Sequence, residues 1–158
     1  RKDLSFPFCE HAVEINGAMP MVSVQHLETM LGGLAGKRIA LFGVSYRQDV
    51  GDTRYSPSET FFRYAIKKGA VVKAHDPMVK EWMELGLELD PRPPAASSID
   101  AVVFAVPHRE YREMDVSAWA DGAKPAVLDA NNVLSLKQCE ELRSVGCNVR
   151  SIGKGEQW

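Results

Sequence analysis

What the chain lacks narrows its class before any motif is read. No apolar run reaches the roughly 18–20 residues that crossing a bilayer demands, so no membrane partner is expected. No charged-then-apolar leader opens the chain. The three cysteines, Cys9, Cys139 and Cys147, are odd in number and never spaced C-x-x-C. That argues against a disulfide framework and fits reduced thiols in the cytoplasm. The four histidines, His11, His26, His75 and His108, are scattered. No pair has metal-ligand spacing, so no metal site is expected. An excess of charge is missing too. A net charge of −2 offers no electrostatic footprint for nucleic acid.

What is present is the composition of a soluble globular domain, 45% apolar and 25% charged. The 158 residues suit one domain, or one domain with an appendage. The chain opens at Arg1, not Met, and is expected to be a fragment of something longer. Residues 10–31 read as a helix whose apolar positions (Val13, Ile15, Met19, Val22, Leu27 and Met30 among them) occupy more than one face, so packing on two sides is expected. Pro20 should kink it or start a second segment, and Gly32-Gly33 should end it.

Thereafter short apolar runs alternate with helical patterns. Strands are expected at 38–43, 71–75, 101–106, 126–129 and 148–150. A helix is expected over 57–68, with Ser56 as N-cap, Pro57 at the first position and Glu59 completing a capping box. A second capping box, Ser135 with Gln138, opens a helix running to Val145. Asp76-Pro77 is expected to start a short helix through Trp82, residues 90–98 to be irregular, and 108–120 to be polar and partly helical. This alternation predicts an α/β fold: an open, doubly wound, mostly parallel sheet preceded by a long N-terminal helix. Two units are expected, a helical segment over 1–34 and an α/β domain over 36–158.

In such sheets ligands bind at the carboxyl ends of the strands. The first turn, Val44 to Tyr55, exceeds the usual two to six or so residues, and long turns tend to be functional. It carries Arg47 and Arg54, Asp49 and Asp52, and Tyr46, then runs into a helix N-terminus. A guanidinium suits phosphate oxygens, and an aromatic ring can stack on a base or sugar. The plainer alternative is that Asp52 and Arg54 merely pair and hold the loop. A dinucleotide site is not expected, because Ser45 and Gln48 stand where G-x-G-x-x-G needs glycines. Asp76 reads either as a ribose-binding acid or, preferentially, as a helix N-cap. His108 reads as a solvated loop histidine rather than a general base, and Cys139 as a packed hydrophobe. Asp129 to Asn132 puts polar groups on the same rim, or forms a simple turn with a left-handed asparagine.

The stretch Gly43 to Ser58 resembles the UDP-glucose/GDP-mannose dehydrogenase family, whose C-terminal domain carries G-x-[AS]-[YF]-K-x-D-x-x-D-x-R-x-S-P-S. Glu14 to Pro20 is similar to that family's central helix (E-x-N-x-x-M-P). His75-Asp76-Pro77 is similar to its Y-D-P, Leu128 to Asn132 to its D-x-R-N, and Ser151 to Gly153 to its closing I-G. The resemblance implies the sugar-nucleotide-binding part of an enzyme that oxidises the C6 hydroxyl of a nucleotide sugar to a carboxylate with NAD. NAD would be bound by an N-terminal domain, not by this chain. UDP-sugars are favoured over GDP-mannose as substrate. Tyr46, Arg47 and Asn131 would face the substrate, Asp52 and Arg54 would brace the loop or face a neighbouring domain, and a homodimer would form through residues 10–31. Two positions depart from the pattern: Arg47 replaces a lysine and Asn131 an arginine. No G-G-x-C segment is present, so no catalytic residue is expected here. The departures motivate an alternative, a non-catalytic dimerisation or scaffold module without its ligand site.

Overall fold

The computed structural model describes residues 6–153; residues 1–5 and 154–158, the outer ends of the two expected units, lie outside it. The elements are α1 (Pro7–Leu31), β1 (Arg38–Phe42), α2 (Pro57–Lys67), β2 (Val71–His75), β3 (Glu81–Trp82), β4 (Leu87–Glu88), β5 (Ala101–Phe104), α3 (Arg109–Glu113), α4 (Val116–Ala120), β6 (Ala126–Asp129), α5 (Leu136–Ser144) and β7 (Val149–Ser151). Five strands form one sheet in the order β2-β1-β5-β6-β7, every neighbouring pair parallel.

The strand pleat sorts the core into two layers. Ile39, Leu41, Val103 and Leu128 face α1 and α2, meeting Val24, Leu27, Phe61 and Ala65. The alternate residues Ala40, Phe42, Val102, Phe104 and Val127 face Tyr111, Val116 and Leu142 on the other side. A parallel sheet is stable only with both faces covered, and each fully buried Leu or Phe side chain contributes about 1.5–3 kcal/mol. The doubly wound architecture read from the sequence is therefore present. The chain runs from β1 outward to β2 and then back across β1 to β5, so the direction of winding reverses between β1 and β5.

Five local expectations are corrected. Pro20 does not start a second segment: α1 is one 25-residue helix beginning at Pro7, with Pro20 inside it. Within this chain α1 packs on one side only: Val24 and Leu27 are fully buried, while Phe8, Val13, Ile15 and Met19 stay exposed. Glu59 does not complete a capping box, because its carboxylate is taken by Arg63 one turn on, at 2.8 Å; Ser56 alone caps, accepting from Ser58 N. Residues 76–82 are not helical. The Asp76 Oδ1 accepts Met78 N in a tight turn, and the chain then forms a hairpin, β3 against β4, that drops Trp82 into the core opposite Leu87. Residues 96–98 make one 3₁₀ turn where only irregular chain is expected. The second capping box forms as read: Ser135 Oγ accepts Gln138 N, and Ser135 N donates to Gln138 Oε1. Among the described residues no helix is long and apolar enough to cross a membrane.

Candidate functional site

Ligand crevices in open α/β sheets lie where the winding reverses, here at the carboxyl ends of β1 and β5. Gly43 shapes this point. It leaves β1 with φ +98°, and a Cβ there would stand 2.5 Å from Val106 Cβ. Only glycine combines that backbone with that closeness. Gly43 N donates to His75 O, and Ala105 N donates to Phe42 O, so the turns after β1, β2 and β5 are stitched together at their roots.

Asp76 is the hub of the stitching. Its Oδ2 accepts Val44 N at 2.8 Å, Ser45 N at 3.0 Å, Ser45 Oγ at 2.7 Å and His108 Nε2 at 3.0 Å. Burial pushes this carboxyl up, but the bonds from His108, Ser45, Val44 and Met78 outweigh it and hold the pKa at about 2. Asp76 is therefore a buried anion fully engaged by donors. It is neither a helix cap nor a group free to take a ribose hydroxyl. The Val44 and Ser45 amides point into Asp76 and not into the crevice, so they form no cradle for a dinucleotide pyrophosphate. The residues of this turn do not fit NAD.

The turn that follows is closed on itself and pinned to its neighbours. Tyr46 N donates to Asp52 O at 2.7 Å, closing the loop. Ser56 Oγ donates to Ser45 O and Ser58 Oγ to Gly43 O, tying the start of α2 to the end of β1. Asp49 N donates to His108 Nδ1 at 2.9 Å, and Arg109 N donates to Asp49 Oδ1 at 3.0 Å. Thr53 Oγ1 donates to Glu84 Oε2 on the β3–β4 hairpin at 2.6 Å. Gly51 passes so near Met78 that a Cβ would lie 2.6 Å from its carbonyl oxygen.

The expected site residues fall into three groups. Asp52 and Arg54 form a two-pronged ion pair, 2.9 and 2.7 Å, with Arg54 N also donating to Asp52. Those bonds hold the Asp52 carboxyl at about 2. Tyr46 and Arg47 are exposed at the head of the same loop. Asn131 lies beyond β5, at the end of β6, where its Nδ2 donates to Ala105 O. No hydrogen bond or ion pair among the described residues joins it to Tyr46 or Arg47. Asn131 thus ties the turn after β6 to the turn after β5, and Asn132 supplies the left-handed residue, φ +53°. A depression of about 330 Å3 lies on that side, lined by Arg112, Asn132, Leu134 and Leu136, away from the 44–55 loop.

His108 corrects the sequence reading most. It is not solvated: its ring is completely buried between Asp76 and the Asp49 amide. Its tautomer follows from its partners. The Asp49 N–H needs a lone pair at Nδ1, so the ring proton sits on Nε2 and is donated to Asp76. The signal available in the sequence was position alone: Asp76 and His108 lie in the turns that follow β2 and β5, the strands flanking β1. Cys139 is buried in the core, as read.

Residues 40–136 match the sequence model of the UDP-glucose/GDP-mannose dehydrogenase family, UDP binding domain. The chain is 30% identical over 149 residues to the UDP-glucose 6-dehydrogenase of Rickettsia conorii, covering 89% of this chain and 34% of that protein. It is also 30% identical over 149 residues to the UDP-N-acetyl-D-mannosamine dehydrogenase of Methanocaldococcus jannaschii, covering 92% and 33%. Among solved structures, the NDP-N-acetyl-D-galactosaminuronic acid dehydrogenase of Methanosarcina mazei Go1 superposes with a TM-score of 0.80 at 26% identity, over 97% of this chain and 34% of that one. The chain spans about a third of the length of the relatives it matches.

Proposed function

The chain belongs to the UDP-glucose/GDP-mannose dehydrogenase family, and from that premise we propose that it holds the nucleotide part of a nucleotide sugar for an NAD-dependent 6-dehydrogenase. One observation carries the reading. A loop pinned at both ends and at its tip, at the reversal point of the sheet, presents the side chains of Tyr46 and Arg47 outward; among the described residues neither side chain has a hydrogen bond or ion pair, although the Arg47 charge helps to lower the Asp52 carboxyl. An ordered loop with an unpaired guanidinium and an exposed ring is suited to a diphosphate and a base or sugar. The inward-turned Val44 and Ser45 amides leave recognition to side chains. Asn131, exposed on the turn after β6 and tied to the turn after β5, completes the substrate-facing set, while Asp52 and Arg54 brace the loop. UDP is favoured over GDP because the relatives matched are named for UDP-sugars.

The oxidation itself belongs to other parts of such an enzyme, with NAD bound outside this α/β unit. The exposed apolar first half of α1 supports a homodimer through residues 10–31, since Phe8, Val13, Ile15 and Met19 are left uncovered by the described residues. The unpaired exposed Cys9 fits a reducing cytoplasm.

Titration calorimetry with UDP, a UDP-sugar and GDP tests the reading. Saturable UDP binding is expected, weakened about tenfold to a hundredfold in Arg47→Ala, the usual range for one charge-assisted phosphate contact. A folded sample that binds neither UDP nor GDP would refute it in favour of a scaffold module.

A further inference from the structure

We propose that His108 is a positioning residue for nucleotide binding, setting the conformation of the loop that carries Tyr46 and Arg47; this rests on the function proposed above.

Three βα units meet at its ring. Asp76 comes from the end of β2, Asp49 from the loop after β1, and His108 from the turn after β5. Both ring nitrogens are used, and both bonds are directional. Nε2–H donates into the Asp76 carboxylate, which also fixes the Val44 and Ser45 amides at the root of the loop. Nδ1 accepts the amide of Asp49, two residues beyond Arg47, at the loop tip. One imidazole therefore links root and tip.

Asp49 is where such a link matters. Its φ is +56°, a left-handed conformation that is uncommon outside glycine and that aspartate adopts more readily than most residues. The Asp49 peptide is gripped on both sides, by His108 Nδ1 at its amide and by Arg109 N at its carboxylate. Its orientation governs which way the Arg47–Gln48 segment leaves the surface. The ring also stands edge-on to Tyr111, 5.7 Å between centroids, which holds its plane.

Two substitutions in the full chain separate positioning from packing. In His108→Asn the amide Oδ1 replaces Nδ1 and still accepts from Asp49, while the Asp76 contact is lost. In His108→Gln the amide nitrogen replaces Nε2 and still donates to Asp76, while Asp49 is released. If release leaves about a tenth of the molecules with the loop in its binding arrangement, the apparent UDP affinity falls about tenfold. His108→Gln is therefore expected to bind UDP about tenfold more weakly, and His108→Asn to stay within about twofold of the parent. Amide hydrogen exchange over residues 46–52, without ligand, is expected to quicken about tenfold in His108→Gln only. Nitrogen-15 spectra of the parent should show the ring proton on Nε2 and a lone pair on Nδ1.

Equal effects of the two substitutions on exchange, or a ring protonated at Nδ1, would overturn the proposal. So would undiminished UDP affinity in a folded His108→Gln chain. If the parent binds no UDP but the exchange difference appears, the functional reading fails while His108 still holds the loop.

Discussion

Replacing Asp76 with asparagine removes one charge from the most heavily bonded carboxylate in the fold. The magnitude follows from its titration. In the unfolded chain the carboxyl ionises near 3.8 and in the folded one near 2. A folded pKa below the unfolded one means the ion stabilises the fold above pH 3.8, and that the contribution is lost as the pH falls through 2. The linkage amounts to about 2 kcal/mol at neutral pH. Asparagine keeps an oxygen for the four donors on the Oδ2 side only by turning its NH2 toward Met78 N, which adds about 1 kcal/mol for a lost acceptor. Asp76→Asn should therefore cost about 3 kcal/mol at pH 7, within the 5–15 kcal/mol or so of an ordinary domain. Urea unfolding at pH 7, 5, 4 and 3 is the assay. The gap between parent and variant should persist to about pH 5 and then narrow, with about half of the charge contribution gone by pH 3. Other acidic groups titrate alike in both proteins and cancel. A gap unchanged from pH 7 to pH 3, at equal m-values, would refute the argument.

Two further substitutions address the neighbouring geometry. Gly43→Ala forces a Cβ against Val106 at a φ of +98°; overpacking and backbone strain together should cost about 2–5 kcal/mol, seen as a lower urea midpoint, and a loss under 1 kcal/mol or so would contradict the close approach. His75 is fully buried, and burial pushes its pKa down. Its proton is taken up by the unfolded chain first, so stability is complete above pH 6.5 and declines as the pH falls below it. His75→Phe keeps a flat aromatic ring, though a larger one, and the backbone carbonyl that accepts Tyr111 Oη, and loses the Nδ1–Tyr111 Oη bond; whatever its overall stability, it should flatten the fall in stability between pH 7 and pH 5, and an unchanged slope would count against it.

The sheet was legible because its cause is local. Arg38–Phe42, Ala101–Phe104 and Ala126–Asp129 are apolar runs too short for helices and bounded by turn residues. Ser135 and Gln138 announce a helix start that nothing else contests. Where local syntax failed, a tertiary competitor explains it. Asp76-Pro77 reads as a helix opening, yet the carboxylate is claimed by amides some thirty residues away in sequence. Glu59 was free to close a capping box until Arg63 took it. The two-residue strands β3 and β4 are too short to show a period at all. His108 illustrates the same limit for the site. Its partners lie 32 and 59 positions away, so no window along the sequence contains the arrangement. The loop itself was visible from its length and its two arginines, but which arginine braces and which is left outward was decided by resemblance, not by composition.

The pinning of the 44–55 loop also bears on how this surface can evolve. Its tip and flank touch three other segments through specific atoms: Asp49 with His108, Gly51 with the Met78 carbonyl, Thr53 with Glu84. The Thr53–Glu84 contact joins side chain to side chain, so 53 and 84 should drift together among relatives, whereas 108 needs an acceptor and 51 needs glycine whatever side chains stand at 49 and 78. Tyr46 and Arg47 carry no such obligation through their side chains. If Tyr46 and Arg47 face the nucleotide as proposed, substrate preference can be retuned at those two positions while the scaffold beneath them stays as it is.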